Sequence, residues 1–444
     1  MARSVGNALV RLALVLLLVA PALPVWGQGA EVYLDVRKEG SGLFVAAIPP
    51  FESGAGEEAQ RLAGILREVL RQDLDVAGFF RLLNDEPLLQ QLESEDRAAG
   101  AIRYPEWQST GARLLIKGKV EAEASRVSLQ VGLYDAATRT ARLSKTYGGS
   151  RETHRLLAHR ASNDVMQNLF GEAGIADTRI AFLGYYQGHK EVFVMDYDGF
   201  NVEGLTRDRS VIVAPRWAPD ARRLFYTSYR DRNPDLYQFS LANGQSQPVF
   251  RFPGINAMPA WSPDGKEMAV VLSKDGNPEV YLANADGSNL RRLTNNRDID
   301  SAPTWSTDGK HIYFTSDRAG SPQIFAMDRN GDNVRRITFT GTFNDLATWS
   351  PRGDLIAFVS RVNGAFQIAL MNPDGSGMRY LTGASGSSES PSWSPDGRLL
   401  CFSSTRNGVS NLYLMRTDGT GLRQITTFRT GAFSPSWSPR PKQP

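Results

Sequence analysis

The chain has little of what catalysis, nucleic-acid binding or covalent cross-linking requires. Its 444 residues include one cysteine, Cys401, so no internal disulfide can form. That cysteine lies within the apolar run LLCFSS and reads as a small buried hydrophobe. Histidine is almost as scarce, with only His154, His159, His189 and His311. His154 and His159 stand five apart, which does not put two ligands on one helical face, and no glutamate follows in the zinc-helix pattern. The pair therefore reads as exposed helical surface, with no metal and no cofactor expected. There is no G-x-S-x-G nucleophile elbow and no phosphate-cradling glycine loop between a strand and a helix. Charge is balanced, 50 lysines and arginines against 47 aspartates and glutamates, with no basic stripe, so nucleic acid is not an expected partner. Long apolar runs are also missing. The run LALVLLLVA at 12–20 is too short to cross a bilayer, which takes about 20 residues. With Arg3 and Arg11 flanking it and small residues up to Gly27, it reads as an export signal over residues 1–28. The mature chain is expected to begin between Gln28 and Glu31, without lipid and without a membrane-inserted segment.

What the chain has in abundance is repetition. Trp217, Trp261, Trp305, Trp349, Trp393 and Trp437 recur every 44 residues, in stretches such as PAWSPDG (259–265) and PSWSPDG (391–397). Thr206, Thr294, Thr338, Thr382 and Thr426 keep the same beat, which only Phe250 breaks. Within one period, APTW, HIYFTS, QIFAMD and VRRIT alternate with turns rich in Gly, Asp and Asn. Four short strands repeated at 40–45 residues are the signature of a β-propeller blade. Six blades are expected over residues 179–444. The strand IAFLGYY at Ile180 has no tryptophan strand before it, and SPSWS (434–438) has no strands after it. The C-terminus is therefore expected to supply the missing inner strand of the first blade and close the ring.

Residues 29–170 lack this beat and form a separate α+β domain. Leu62, Ile65, Leu66, Val69 and Leu70 mark a helix within 57–75, with further helices near 86–95 and at 152–169. The stretches 31–36, 43–51, 113–122, 127–136 and 140–147 read as strands. The expected arrangement is a small sheet with helices on one face, joined to the propeller by a linker at 171–178.

Two turns, DYDGFN (196–201) and DRNGDN (328–333), resemble the start of a calcium loop. Arg207 and Phe339 stand where its bidentate glutamate belongs, so hairpin geometry accounts for both.

The order of these parts, with EVYLDV at 31–36, TRIAF at 178–182, YDGFN at 197–201 and the PAWSPDG-type strands, closely resembles the TolB family of the bacterial Tol–Pal system. That resemblance implies a monomeric, non-catalytic periplasmic binding protein. Its propeller mouth would contact the lipoprotein Pal, and its N-terminal segment would contact TolA and other inner-membrane Tol proteins. The role implied is support of outer-membrane integrity and of invagination at cell division. Carried over by position, Pal contacts fall in the loops before each tryptophan strand, at Ile255, Asn256, Met258, Ser301, Ala302, Asp345 and Glu389. Ile255 and Ala302 depart from the polar character expected there. TolA contacts fall at Glu31, Val32, Tyr33, Leu34, Asp35 and Val36, an alternating stretch able to add to a partner's sheet edge. A ligand-binding sensor, or the non-catalytic half of a periplasmic peptidase, is the alternative reading.

Overall fold

The computed structural model describes residues 42–383 and 385–441. The export signal and the segment Glu31–Val36 lie outside the described residues. In chain order the first domain holds β1 (Phe44–Ala47), β2 (Glu52–Ser53), α1 (Glu57–Ala77), β3 (Phe80–Leu82), α2 (Glu86–Ala99) and α3 (Tyr104–Ser109). Then come β4 (Leu114–Ala122), β5 (Arg126–Asp135), β6 (Thr140–Ser150) and α4 (His154–Phe170). The sheet runs β3-β1-β4-β5-β6, parallel on its β1 side and antiparallel from β4 onward, with β2 against β4.

α1 forms because Leu62, Leu66, Val69, Leu70 and Leu74 make one apolar stripe, and it stops at Gly78, whose φ of 79° opens the left-handed region. With α4 it covers one face of the sheet, packing on Leu114, Ile116, Leu129 and Val131. This is the expected layer. α2 and α3 add a smaller one on the opposite face, where Leu89, Leu92 and Trp107 meet Ala47 and Leu115. Successive strand residues point to opposite faces, so Leu114 and Leu115 serve different layers.

The rest of the chain forms six four-stranded antiparallel sheets, the blades of a propeller. The first contains β7 (Arg179–Tyr186), β8 (His189–Asp196) and β9 (Glu203–Gly204), and its inner strand is Ala432–Trp437 from the far end of the chain. Every inner strand carries a bulge just before its tryptophan. At each bulge sits a residue with positive φ: Ala214, Met258, Ala302, Leu346, Ser390 or Ser434. The tryptophans join neighbouring blades in two ways. The Nε1 groups of Trp217, Trp305 and Trp393 donate to the carbonyls of Ser436, Ala260 and Thr348 on the preceding blade. Trp261 and Trp349 instead stand edge-on to Phe225 and Tyr313.

The two domains are joined on the propeller face that carries the Asp-Gly turns. Asp73 of α1 is the hub, accepting from His159 Nδ1 (2.9 Å), Ser162 Oγ (2.8 Å) and Tyr197 Oη (2.6 Å). Burial and the adjacent Asp73 carboxylate push the Tyr197 phenol well above its ordinary value. Burial presses the His159 imidazole downward, but the charge and hydrogen bond of Asp73 outweigh it and hold the group above its usual range. Arg416 donates to the Asp75 carbonyl at 2.6 Å, and Glu172 pairs with Arg398 at 2.9 Å. Residues 171–178 connect the domains as a packed segment: Ile175 and Ala176 are buried, and Thr178 accepts from Trp437 Nε1 at 2.8 Å. His159 corrects the sequence reading. It is 1 % exposed, packed between Asp73 of α1 and the Tyr197 ring, and because Asp73 lies 86 residues away in sequence no local pattern reveals the contact. Among the described residues no helix is long and apolar enough to cross a membrane.

Candidate functional site: the open mouth of the propeller

The threonine beat explains how the mouth is built. Thr294 Oγ1 accepts from the backbone N–H of Val280 (2.9 Å) and donates to the Glu279 carboxylate, whose Oε1 in turn accepts from Asn296 N–H (2.8 Å). The same clip joins Thr206 to Glu191, which accepts from the N–H groups of Asp208 and Arg209. Thr338 with Gln323, Thr382 with Gln367 and Thr426 with Asn411 repeat it using amides. These side chains fix the start of five of the six loops before an inner strand, and Asn256 holds the sixth, which follows Phe250. The mouth is therefore a ring of pinned loops.

Behind the ring, toward the face of the Asp-Gly turns, a channel of about 540 Å³ is lined by the inner strands from their bulges to the turn prolines Pro219, Pro263, Pro351 and Pro439. Met258 and Ala302 face it, together with Leu346 and Ser390 at the equivalent bulges. Arg216 also lines it, enclosed by channel wall yet reaching the channel space, and burial pushes its guanidinium downward. Farther out, Glu389 is exposed, and partial burial among the loops raises its carboxyl above the ordinary range. Burial likewise raises Asp345, against hydrogen bonds from Thr315 Oγ1 (2.7 Å) and its neighbour's N–H (2.6 Å) that favour the ionised form.

The residues expected at the mouth separate into two groups. Ile255, Met258, Ser301 and Glu389 retain exposure on the mouth side. Asn256 does not and is corrected: it is fully buried, its Nδ2 donating to three carbonyls, Pro234, Phe252 and Gly254, and its Oδ1 accepting from Phe252 N–H. It shapes its loop and presents nothing to a partner. Ala302, 7 % exposed with φ 47°, shapes the bulge. Asp345 is half-buried and accepts from Thr315 Oγ1.

Sequence reasoning missed an apolar rim. Phe339 is 75 % exposed, Val211 58 % and Ile299 48 %, and Tyr185, Tyr186 and Tyr229 are 40 % each. Register puts all six at one end of the blades: Tyr229 N–H bonds the Val211 carbonyl, and β7 turns into β8 beyond the pairing of Gly184 with Ala432. A signal existed. Val211, Ile255 and Ile299 stand one period apart, and only the middle one was singled out. A cluster of exposed large apolar groups is what a binding face carries.

A model of the TolB β-propeller domain matches residues 166–441, and one of the TolB amino-terminal domain matches residues 32–142. The Tol-Pal system protein TolB of Desulfosudis oleivorans is 35 % identical over 211 residues, covering 47 % of this chain and 48 % of that protein. The Tol-Pal system protein TolB of Geobacter sulfurreducens is 39 % identical over 216 residues, 48 % of each chain. Thus the chain spans about half the length of the curated relatives it matches. Among solved structures, TolB from Acinetobacter baumannii superposes with a TM-score of 0.77 at 28 % identity, over 90 % of this chain and 97 % of that one. With both domains matched and the propeller match covering more than half of its length, the chain belongs to the TolB family.

Proposed function

We propose that this protein is the periplasmic, non-catalytic adaptor of a Tol–Pal envelope system, binding Pal at the propeller mouth and TolA through Glu31–Val36. The reading rests on the names of its relatives and on one observation here. The apolar rim of Phe339, Ile299, Val211 and the tyrosines stands bare on the propeller face opposite the one the first domain covers. Large exposed aromatic side chains around pinned loops are the anchors a protein interface uses. A catalytic role has poor material: Cys401 is fully buried and its thiol is pushed far up by burial, so it stays protonated.

Pal's soluble domain, titrated by calorimetry against wild type and against Phe339→Glu with Ile299→Glu, tests the mouth. Binding is expected to fall at least tenfold with Tm unchanged. Equal affinity in the double variant removes the rim from the interface. Deleting residues 28–36 is expected to abolish TolA capture while Pal binding persists. A truncated chain that still captures TolA refutes the second half of the reading.

A further inference from the structure

Where the two domains meet, a buried imidazole nitrogen faces two carboxylates. His159 on α4 is 1 % exposed, and its Nδ1 lies 2.9 Å from Asp73 Oδ2. With Nδ1 donating to the Asp73 carboxylate, the nitrogen left to meet an ion is Nε2, which offers its lone pair once its proton is displaced, the arrangement that orients metal-binding histidines. Nε2 has no hydrogen-bond partner among the described residues, and Asp198 Oδ2, 3.8 Å away, is too distant to serve. Buried polar atoms are almost always satisfied, so an orphan of this kind points to an absent ligand.

The ligand's chemistry follows from the neighbours. Asp196 and Asp198 open the DYDGFN turn after β8, and one donor atom from each lies within 4.8 Å of the other and of His159. An ion bound at about 2.0–2.2 Å by such donors brings them to ~3.4 Å from one another, within reach of small side-chain rotations. Asp196 Oδ2 has Asn201 Nδ2 as its partner at 2.6 Å. Arg155 pairs with Asp198, leaving three carboxylates (Asp73, Asp196 and Asp198) around one guanidinium. The cluster therefore has negative charge to spare. One imidazole with two carboxylates is a donor set for zinc-like ions, whereas calcium loops use oxygen alone.

We propose that His159, Asp196 and Asp198 form a site for a divalent transition ion of the zinc type, with Asp73 as the residue that orients the histidine. The ligands come from both domains, so the ion ties α4 to the first blade and fixes their relative orientation. This is independent of partner binding at the opposite face.

The test uses the untagged chain, stripped with EDTA and titrated with Zn²⁺ by calorimetry and with Co²⁺ by visible absorption, alongside thermal melting. One ion per chain is expected, with Tm raised by roughly 5 °C at a hundredfold excess over Kd. Asp196→Asn, at a half-exposed position, is expected to weaken binding at least tenfold, and His159→Gln to abolish it. His311→Gln, which removes a histidine paired with Asp328 on another blade, is expected to bind as wild type. If His159→Gln fails to fold, Asp196→Asn still decides. No ion uptake by wild type, equal affinity in Asp196→Asn, or loss in His311→Gln would each overturn the proposal.

Discussion

The two faces of the propeller are made of the same repeat and have opposite fates. On the turn face, carboxylates and aromatics are consumed by the first domain: Asp73 takes three donors, Tyr197 is buried, and Arg416 caps α1. On the mouth face, the loops spend their polar groups on one another through the threonine clips and leave their apolar side chains in water. The difference teaches that a repeat fixes the scaffold of both faces, and the departures from it decide which face binds within the chain and which is free to bind elsewhere.

Breaking the attached face has the largest expected effect. Asp73→Ala strands a buried histidine, serine and tyrosine at once and should lower stability by about 3–5 kcal/mol in urea unfolding. A loss below about 1 kcal/mol would mean the hub is decorative. Trp437→Ala removes both ring closure packing and the bond to Thr178, and a similar ~3–5 kcal/mol is expected.

Loosening a clip on the mouth face ranks next. Thr294→Val leaves the Val280 N–H and the Glu279 carboxylate short of a partner, for a loss of about 1–3 kcal/mol. Amide exchange should show Asn296 and its loop less protected, whereas the α1–α4 contact should be unaffected.

A smaller effect separates the faces by pH. The Asp345 carboxyl is raised in the folded chain, so the folded state holds a proton that the unfolded state releases between the ordinary and the raised value. Stability contributed by this group is therefore lost as pH rises through that window. Asp345→Asn keeps an acceptor for Thr315 and should melt slightly higher than wild type at neutral pH. That advantage should vanish below the ordinary carboxylate range. A pH-independent difference would show that Thr315, not burial, governs the group.

The smallest change in stability belongs to the rim. Phe339→Ser should alter unfolding by less than about 0.5 kcal/mol, because the ring is 75 % exposed. Its effect should appear only in partner binding.

Periodicity made the propeller legible, since six tryptophans and five threonines at a fixed interval can only be satisfied by equivalent positions. The helices were legible from stripes such as Leu62, Leu66 and Leu70. Burial at single positions was not. Asn256 looks like any loop polar residue until three carbonyls converge on it, and His159 looks exposed until Asp73 arrives from another helix. The rim was half visible, because the same 44-residue spacing that locates the tryptophans also locates Val211 and Ile299.

Ring closure by Ala432–Trp437 also sets a timetable. Arg179 N–H bonds Ser438 Oγ across 259 residues of sequence, so the first blade to be synthesised is the last to be completed. At a synthesis rate of about 5–20 residues per second, β7 waits roughly 13–50 seconds with its inner edge unpaired. No shorter nascent chain can seal the ring. The propeller is thereby kept from locking shut until residues 432–438 reach β7, and during that interval its open edge is a target for any chaperone that recognises bare strands.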